Sequence, residues 1–148
     1  MLFAKFLHIL GFTVWVGGMF FAHNALRPTA AVTLEPPLRL TLLAGVFSKF
    51  FVWVWVSIAL ILGSGLYMMS LMGKPPMPVT LMSVIGIVMM LIFGHIYFAP
   101  FKRLKRAVAA QEWQAGGAAM ATMRKMVGIN LILGLITIVI GGLGPMIY

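Results

Sequence analysis

The sequence contains no cysteine and only two acidic residues among its 148. The absence of cysteine excludes disulfides, zinc–thiolate sites, iron–sulfur clusters and thiol nucleophiles. Both carboxylates, Glu35 and Glu112, fall outside every long apolar stretch, which argues against a carboxylate proton relay, a di-iron carboxylate site and a paired-acid hydrolase. A glycine-rich phosphate loop is also absent, and the few serines have no acid–histidine context. The candidate chemistry therefore narrows to three histidines, thirteen methionines and a few amides and hydroxyls.

Charged residues of both signs are scarce. They make up 9% of the chain, whereas hydrophobic residues make up 62%, and a soluble domain is usually about a quarter charged. This composition predicts an integral membrane protein, and the length allows one domain, residues 1–148. The net charge of +9 does not indicate a nucleic-acid partner, because the basic residues lie beside apolar stretches, where positive-inside topology and anionic lipid headgroups account for them.

Four apolar stretches are long enough to cross a bilayer, which takes roughly 20 residues. The first is too long for a typical signal-peptide core and is interpreted as a retained helix. The predicted fold is all-α, a four-helix transmembrane bundle, and the basic segment after Pro100 is expected to extend the third helix as an amphipathic cytoplasmic stub. The predicted spans are Phe6–Leu26, Phe50–Met72, Val79–Phe101 and Val127–Ile147.

The basic residues are distributed unevenly between the two sides of the predicted bundle. Nine fall in or beside the first and third loops, whereas only Lys5 and Lys74 fall on the other side. Because basic residues are retained in the cytoplasm, both termini are predicted to lie outside, on the periplasmic side of a bacterial-type inner membrane. The nine are Arg27, Arg39, Lys49, Lys102, Arg103, Lys105, Arg106, Arg124 and Lys125.

Three histidines lie in the predicted spans, where ionisable groups are costly and tend to be functional. His8 lies near the outer end of the first span, His23 near its inner end, and His95 in the inner third of the third span. At about 1.5 Å per residue, the axial gap between His8 and His95 is roughly 15 Å, too large for one metal ion between level helices. His23, His95 and Asn130 are expected to form a second, inner polar layer.

A tryptophan and two glycines accompany His8 on the first span. At about 100° per residue, His8 and Trp15 share a face of the helix, and so do Gly11 and Gly18. Glycines permit the close approach of a neighbouring helix or of a flat ligand. Trp15, in the middle of the membrane, is therefore predicted to be a packing residue or a neighbour of a cofactor.

Five methionines are predicted to cluster where the second span ends and the third begins. Thioethers are soft ligands that suit Cu(I), and one can also ligate haem iron, but methionine is equally a common filler of apolar cores. The histidines have a similar alternative role as hydrogen-bonding core residues, and Asn130 is expected to form an interhelical hydrogen bond. The five methionines are Met68, Met69, Met72, Met77 and Met82.

Three segments resemble the membrane domain of the copper-resistance CopD family, in order and over almost the whole chain. The resemblance implies an inner-membrane protein that transfers or imports copper. The segments are KFLHILGFTVWVGGMFFAHNALRP (5–28), PPLRLTLLAGVFSKFFVWVWVSIALILGSGLYM (36–68) and GHIYFAPFKRLKRAVA (94–109).

A more distant resemblance is to the HemJ-type protoporphyrinogen oxidases, four-helix membrane proteins associated with haem b. It is carried by His8, Trp15 and Gly18, and by His95 before an aromatic and a basic run. Those proteins have a functional lysine thirteen residues before that histidine, where this chain has Met82. The resemblance therefore does not extend to protoporphyrinogen oxidation, although methionine can ligate iron.

The leading functional hypothesis is a haem b-binding membrane redox protein that passes electrons between a membrane or periplasmic donor and an acceptor. His8 is the expected primary axial ligand and Met82 or His95 the second, with Trp15 and the glycine face against the porphyrin. Met82 and His95 lie about 140° apart on a straight helix, so both can face one ligand only if the helix kinks.

Copper handling is the alternative hypothesis. His8, Met82 and His95 remain candidate ligands, and Met72 and Met77 are expected to help capture Cu(I) at the outer face. A single chain has few polar residues to line a path, so transport would require a homo-oligomer. A third hypothesis is a non-catalytic accessory subunit whose histidines only pack.

Overall fold

The computed structural model describes the backbone of residues 1–147 and the side chains of residues 1–144. Within that range the secondary structure is helical, with no strand, as the all-α prediction requires. The elements are α1 (Leu2–Phe21), a π-helical turn (Ala22–Leu26), α2 (Arg27–Thr33), α3 (Pro36–Met72), α4 (Met77–Phe98), α5 (Pro100–Ala109) and α6 (Trp113–Ile147).

In the part of the chain that the structure describes, four helical segments are long and apolar enough to cross a membrane. The first runs through α1, the π-helical turn and α2, and the third joins α4 to α5. The first three predicted spans lie within observed segments and the fourth, Val127–Ile147, overlaps the last segment up to Gly144, so the expectation of a four-helix transmembrane architecture is confirmed. The segments are Leu2–Thr33, Pro36–Met72, Met77–Ala109 and Trp113–Gly144.

The first and third loops are much shorter than the sequence predicts. α6 begins at Trp113 rather than near Val127, so the expected third loop, residues 102–126, is helical apart from a turn at residues 110–112. Alanine and methionine, which favour helices, dominate the first turns of α6. Gly116 does not break that helix, because it lies where α6 packs closely on its neighbours. A Cβ at this position would be 3.2 Å from Leu40 Cδ1.

The helices pack mainly as two pairs, α1 with α3 and α4 with α6, and α6 also contacts α1, α3 and α5. Aromatic rings join the pairs in the middle of the bundle. The ring of Phe93 on α4 meets Trp15 of α1 at a centroid distance of 6.2 Å and Phe51 of α3 at 5.2 Å, both edge to face. Since Trp15 and Phe93 are almost fully buried, this part of the bundle is a tightly packed apolar core.

The segment after Pro100 forms the predicted amphipathic helix. Its buried residues include Leu104, which lies beside Gly116 of α6, and Phe101, whose ring meets Phe51 of α3 at a centroid distance of 4.8 Å. The lysines and arginines between these buried positions are exposed. Ala99, with φ −117° and ψ −88°, separates α5 from α4. The helix therefore exists as predicted, whereas its cytoplasmic placement stays a prediction.

The two ends of the bundle differ in their side chains, one being rich in methionine and the other in arginine and lysine. The methionine end comprises the start of α1 and the residues around the α3–α4 connection, with the five clustered methionines. The basic end comprises the π-helical turn, α2, α5 and the start of α6, with most of the arginines and lysines.

Candidate functional site

His8 of α1 is fixed by a side-chain contact with α3 at the methionine end. Its Nδ1 lies 3.1 Å from Oγ of Ser64, a buried residue. The imidazole also lies over Gly65, where a Cβ would be 3.3 Å from His8 Cε1. The small residue at position 65 therefore leaves the space that the ring occupies.

The hydrogen-bond network assigns the tautomer of His8. Ser64 has one hydroxyl proton, and it donates that proton to the backbone carbonyl of Leu60. With the hydroxyl proton on a backbone carbonyl, Leu60 or the more distant Ile61, the oxygen accepts from the imidazole, which assigns the ring hydrogen to Nδ1 and the lone pair to Nε2. Metal-binding histidines are commonly oriented in this way, by donating one ring N–H while the other nitrogen coordinates.

One methionine of α3 lies on the same helix face as Ser64, the partner of His8. Met68 follows Ser64 by four residues, one helical turn towards the methionine end, and so lies on the same face of α3. It is half-buried, as is Met69. Met69 Sδ is 3.5 Å from Oγ of Ser83 on α4, and this contact links the two helices beside the α3–α4 connection.

Met82 contacts α6 and not the His8–Ser64 pair. Its thioether packs on Gly141 of α6, where a Cβ would lie 3.3 Å from Met82 Cε and 3.5 Å from Sδ. His8 instead contacts α3. The two candidate ligands thus lie at the same end of the bundle but are held by different helix pairs.

Met72 and Met77 flank the tight connection between α3 and α4. Their side chains are 37% and 62% exposed, and Gly73 between them adopts φ +69°, a conformation that favours glycine. The methionine end therefore has thioethers at its surface as well as half-buried ones.

His95 lies apart from this group. It is exposed on the last turn of α4, towards the basic end, so the structure does not bring it near His8. Among the described residues, no three histidine or acidic side chains are grouped to hold a metal ion. Any metal site at the methionine end therefore depends on thioethers in addition to His8.

Residues 44–143 match the family described as Copper resistance protein D, CopD. The match covers more than half of the chain. The chain belongs to the CopD family. No curated protein and no solved structure matches the chain.

The CopD match begins within α3 and therefore includes Ser64 and the clustered methionines but not His8. Sequence reasoning singled out His8 from its place in an apolar helix, yet it missed Ser64, the partner that orients it. The glycines on either side of Ser64 were the available signal, because small residues mark positions of close helix contact.

In this CopD-family chain, the two glycines on the face of α1 contact a helix. A Cβ at Gly11 would lie 3.0 Å from the backbone oxygen of Ser57 on α3, and one at Gly18 would overlap the ring of Phe50 on α3. The sequence allowed either a neighbouring helix or a flat ligand against these glycines. In the structure, α3 lies against both of them.

Trp15 lies in the packed core of the bundle. The cavity that it lines, together with Phe93 and Asn130, has a volume of about 10 Å³, which is close to the space of one water molecule. A ligand as large as a porphyrin needs several hundred Å³. The residues around Trp15 therefore do not fit haem b.

Asn130 makes the interhelical contact that was expected of it. Its Nδ2 donates to the backbone carbonyl of Met89 on α4, at 3.2 Å. Its Oδ1 is buried without a hydrogen-bond partner among the described residues. His23 does not share this contact, because its ring packs on Gly128 of α6.

Proposed function

We propose that the chain is a copper-handling membrane protein that binds Cu(I) as its cargo at the methionine end. His8 supplies an imidazole nitrogen, and methionines around the α3–α4 connection supply thioether sulfurs. The protein acts in the inner membrane of a bacterium, with the methionine end facing the periplasm.

The observation that carries the proposal is the orientation of His8. The hydrogen bond to Ser64 holds the ring and leaves the lone pair of Nε2 available. A ring held in this way loses little freedom when it coordinates an ion, which favours binding.

The surrounding residue types favour a soft ion. Met68, on the face of α3 that carries Ser64, and Met69 are half-buried, and Met72 and Met77 are more exposed. Glu35 and Glu112 both lie near the basic end, so among the described residues no acidic side chain is available at the methionine end for a hard cation. Imidazole together with thioethers suits Cu(I).

The CopD match supports the same ion, because the family is described as a copper resistance protein. The exposed Met72 and Met77 would capture Cu(I), and the half-buried methionines and His8 would hold it. Passage across the bilayer needs more polar groups than one chain offers within its spans, so we propose a homo-oligomer for that step.

The test is a Cu(I) titration of the purified protein in detergent, against a chromophoric Cu(I) chelator. We expect binding that weakens about tenfold or more in His8→Ala and in the double variant Met72→Leu, Met77→Leu. His95→Ala and Met126→Leu remove the same groups elsewhere and should leave the affinity unchanged. Equal affinities in His8→Ala and His95→Ala would overturn the proposal.

A further inference from the structure

Three basic side chains meet at the basic end, between the π-helical turn and α6. The ring of His23 packs on Gly128, where a Cβ would lie 3.1 Å from His23 Cε1 and 3.5 Å from Nε2. Two helical turns deeper, Val16 packs on Gly134, so this segment and α6 run antiparallel. Arg27, one turn beyond His23, and Arg124, one turn before Gly128, therefore lie at the same level.

Among the residues that the structure describes, no acidic side chain partners the arginines of this cluster. The positive charge of Arg124 acts on both His23 and Arg27. The only carboxylates of the chain, Glu35 and Glu112, are exposed. Bringing like charges together without an anion is unfavourable, so the cluster is suited to binding one.

Arg27 offers a specific donor for such an anion. Its Nε is buried, and no acceptor among the described residues lies within hydrogen-bonding distance. A buried donor without a partner is unfavourable, and more so when it is charged. Arg27 directly follows the π-helical turn. Single π-helical turns are frequent at functional sites.

We propose that His23, Arg27 and Arg124 bind the phosphate group of an anionic phospholipid. Guanidinium groups bind phosphate through paired, charge-assisted hydrogen bonds. Phe20, three residues before His23 on the same helical segment, is 53% exposed and offers apolar surface to acyl chains. This combination of buried donor, basic cluster and adjacent apolar surface fits a lipid better than a free anion, and basic pockets between membrane helices bind lipid headgroups in this way.

Native mass spectrometry of the full chain in detergent, titrated with phosphatidylglycerol, tests the site. We expect Arg27→Gln and Arg124→Gln each to weaken lipid binding about tenfold. Arg124 is exposed, so its variant keeps the test valid if Arg27→Gln fails to fold. Lys125→Gln is the matched control, because it removes one positive charge from the neighbouring exposed position and should bind as the wild type does.

Two further ligands show whether the acyl chains, the phosphate or both are needed for binding. Diacylglycerol, which has the acyl chains without the phosphate, should not bind in an Arg27-dependent way, and inorganic phosphate should bind much more weakly than phosphatidylglycerol. Inorganic phosphate binding as tightly as the lipid would overturn the proposal in favour of a free-anion site. Equal losses in Arg124→Gln and Lys125→Gln would overturn it in favour of a general charge effect.

Discussion

His8 and Ser64, 56 residues apart in the sequence, are joined by a contact of 3.1 Å between His8 Nδ1 and Ser64 Oγ. The proton of Ser64 is donated to the carbonyl of Leu60, so the hydroxyl oxygen serves as the acceptor for His8. This relationship fixes which imidazole nitrogen remains free. The ring of His8 is therefore held in one orientation, with Nε2 free to coordinate an ion.

Ser64→Ala should weaken Cu(I) binding about ten- to hundredfold, because the partner that orients the ligand is lost. The measurement is a chelator competition with purified protein. Ser70→Ala is the control: it removes the same hydroxyl from α3, at an exposed position where Ser70 Oγ bonds only to the carbonyl of Tyr67. If the two variants bind Cu(I) equally well, the hydrogen bond does not orient a ligand.

Gly18→Ala should lower the free energy of unfolding by about 1–3 kcal/mol, since the added Cβ would overlap the ring of Phe50 and force that ring out of its packed position between α1 and α3. Gly17→Ala, where nothing lies within 4 Å, should be neutral. Thermal unfolding in detergent compares them, and Phe50→Leu should restore much of the stability that Gly18→Ala loses. A Gly18→Ala protein as stable as Gly17→Ala would contradict the close packing of α1 on α3.

Asn130→Leu and Asn130→Asp should differ strongly in stability. Leucine removes both the hydrogen bond to Met89 and the unpartnered Oδ1, so the free energy of unfolding should change by less than about 1 kcal/mol. Aspartate places a carboxylate at a buried position in the membrane, which costs about 2.5–3.5 kcal/mol. Denaturant unfolding in mixed micelles measures both, and equal costs for the two variants would argue against an apolar environment around Asn130.

Labelling of single cysteines can determine the orientation of the bundle, because the chain has no native cysteine. Met77→Cys at the methionine end should react with an impermeant maleimide applied to intact spheroplasts. Arg103→Cys at the basic end should react only after the membrane is permeabilised, since the basic residues are expected on the cytoplasmic side. The reverse pattern of labelling would place the proposed copper site in the cytoplasm.

The architecture was predictable from the sequence because length and hydropathy alone identify membrane helices. The ends of the helices were not, because α3 and α6 continue beyond the apolar stretches through residues that still favour helix. Gly116 illustrates the difficulty: a glycine that suggests a loop is used here for close packing against Leu40.

The candidate site was predictable only in part. His8 stands out as an ionisable residue in an apolar helix, but its partner Ser64 depends on how α1 packs against α3, which spacing within one helix cannot specify. The same limit applies to Gly11 and Gly18, whose spacing allowed a flat ligand or a helix equally well. Met82 was expected to share a ligand with His8, whereas its contact with Gly141 depends on the pairing of α4 with α6.

X-ray absorption spectroscopy of the Cu(I)-loaded protein tests the central claim most directly, because it identifies the atoms bound to the ion. The account predicts sulfur and imidazole nitrogen together in the first coordination shell, with the imidazole contribution lost in His8→Ala and retained in His95→Ala. A shell without sulfur, or an imidazole contribution that persists in His8→Ala, would contradict it.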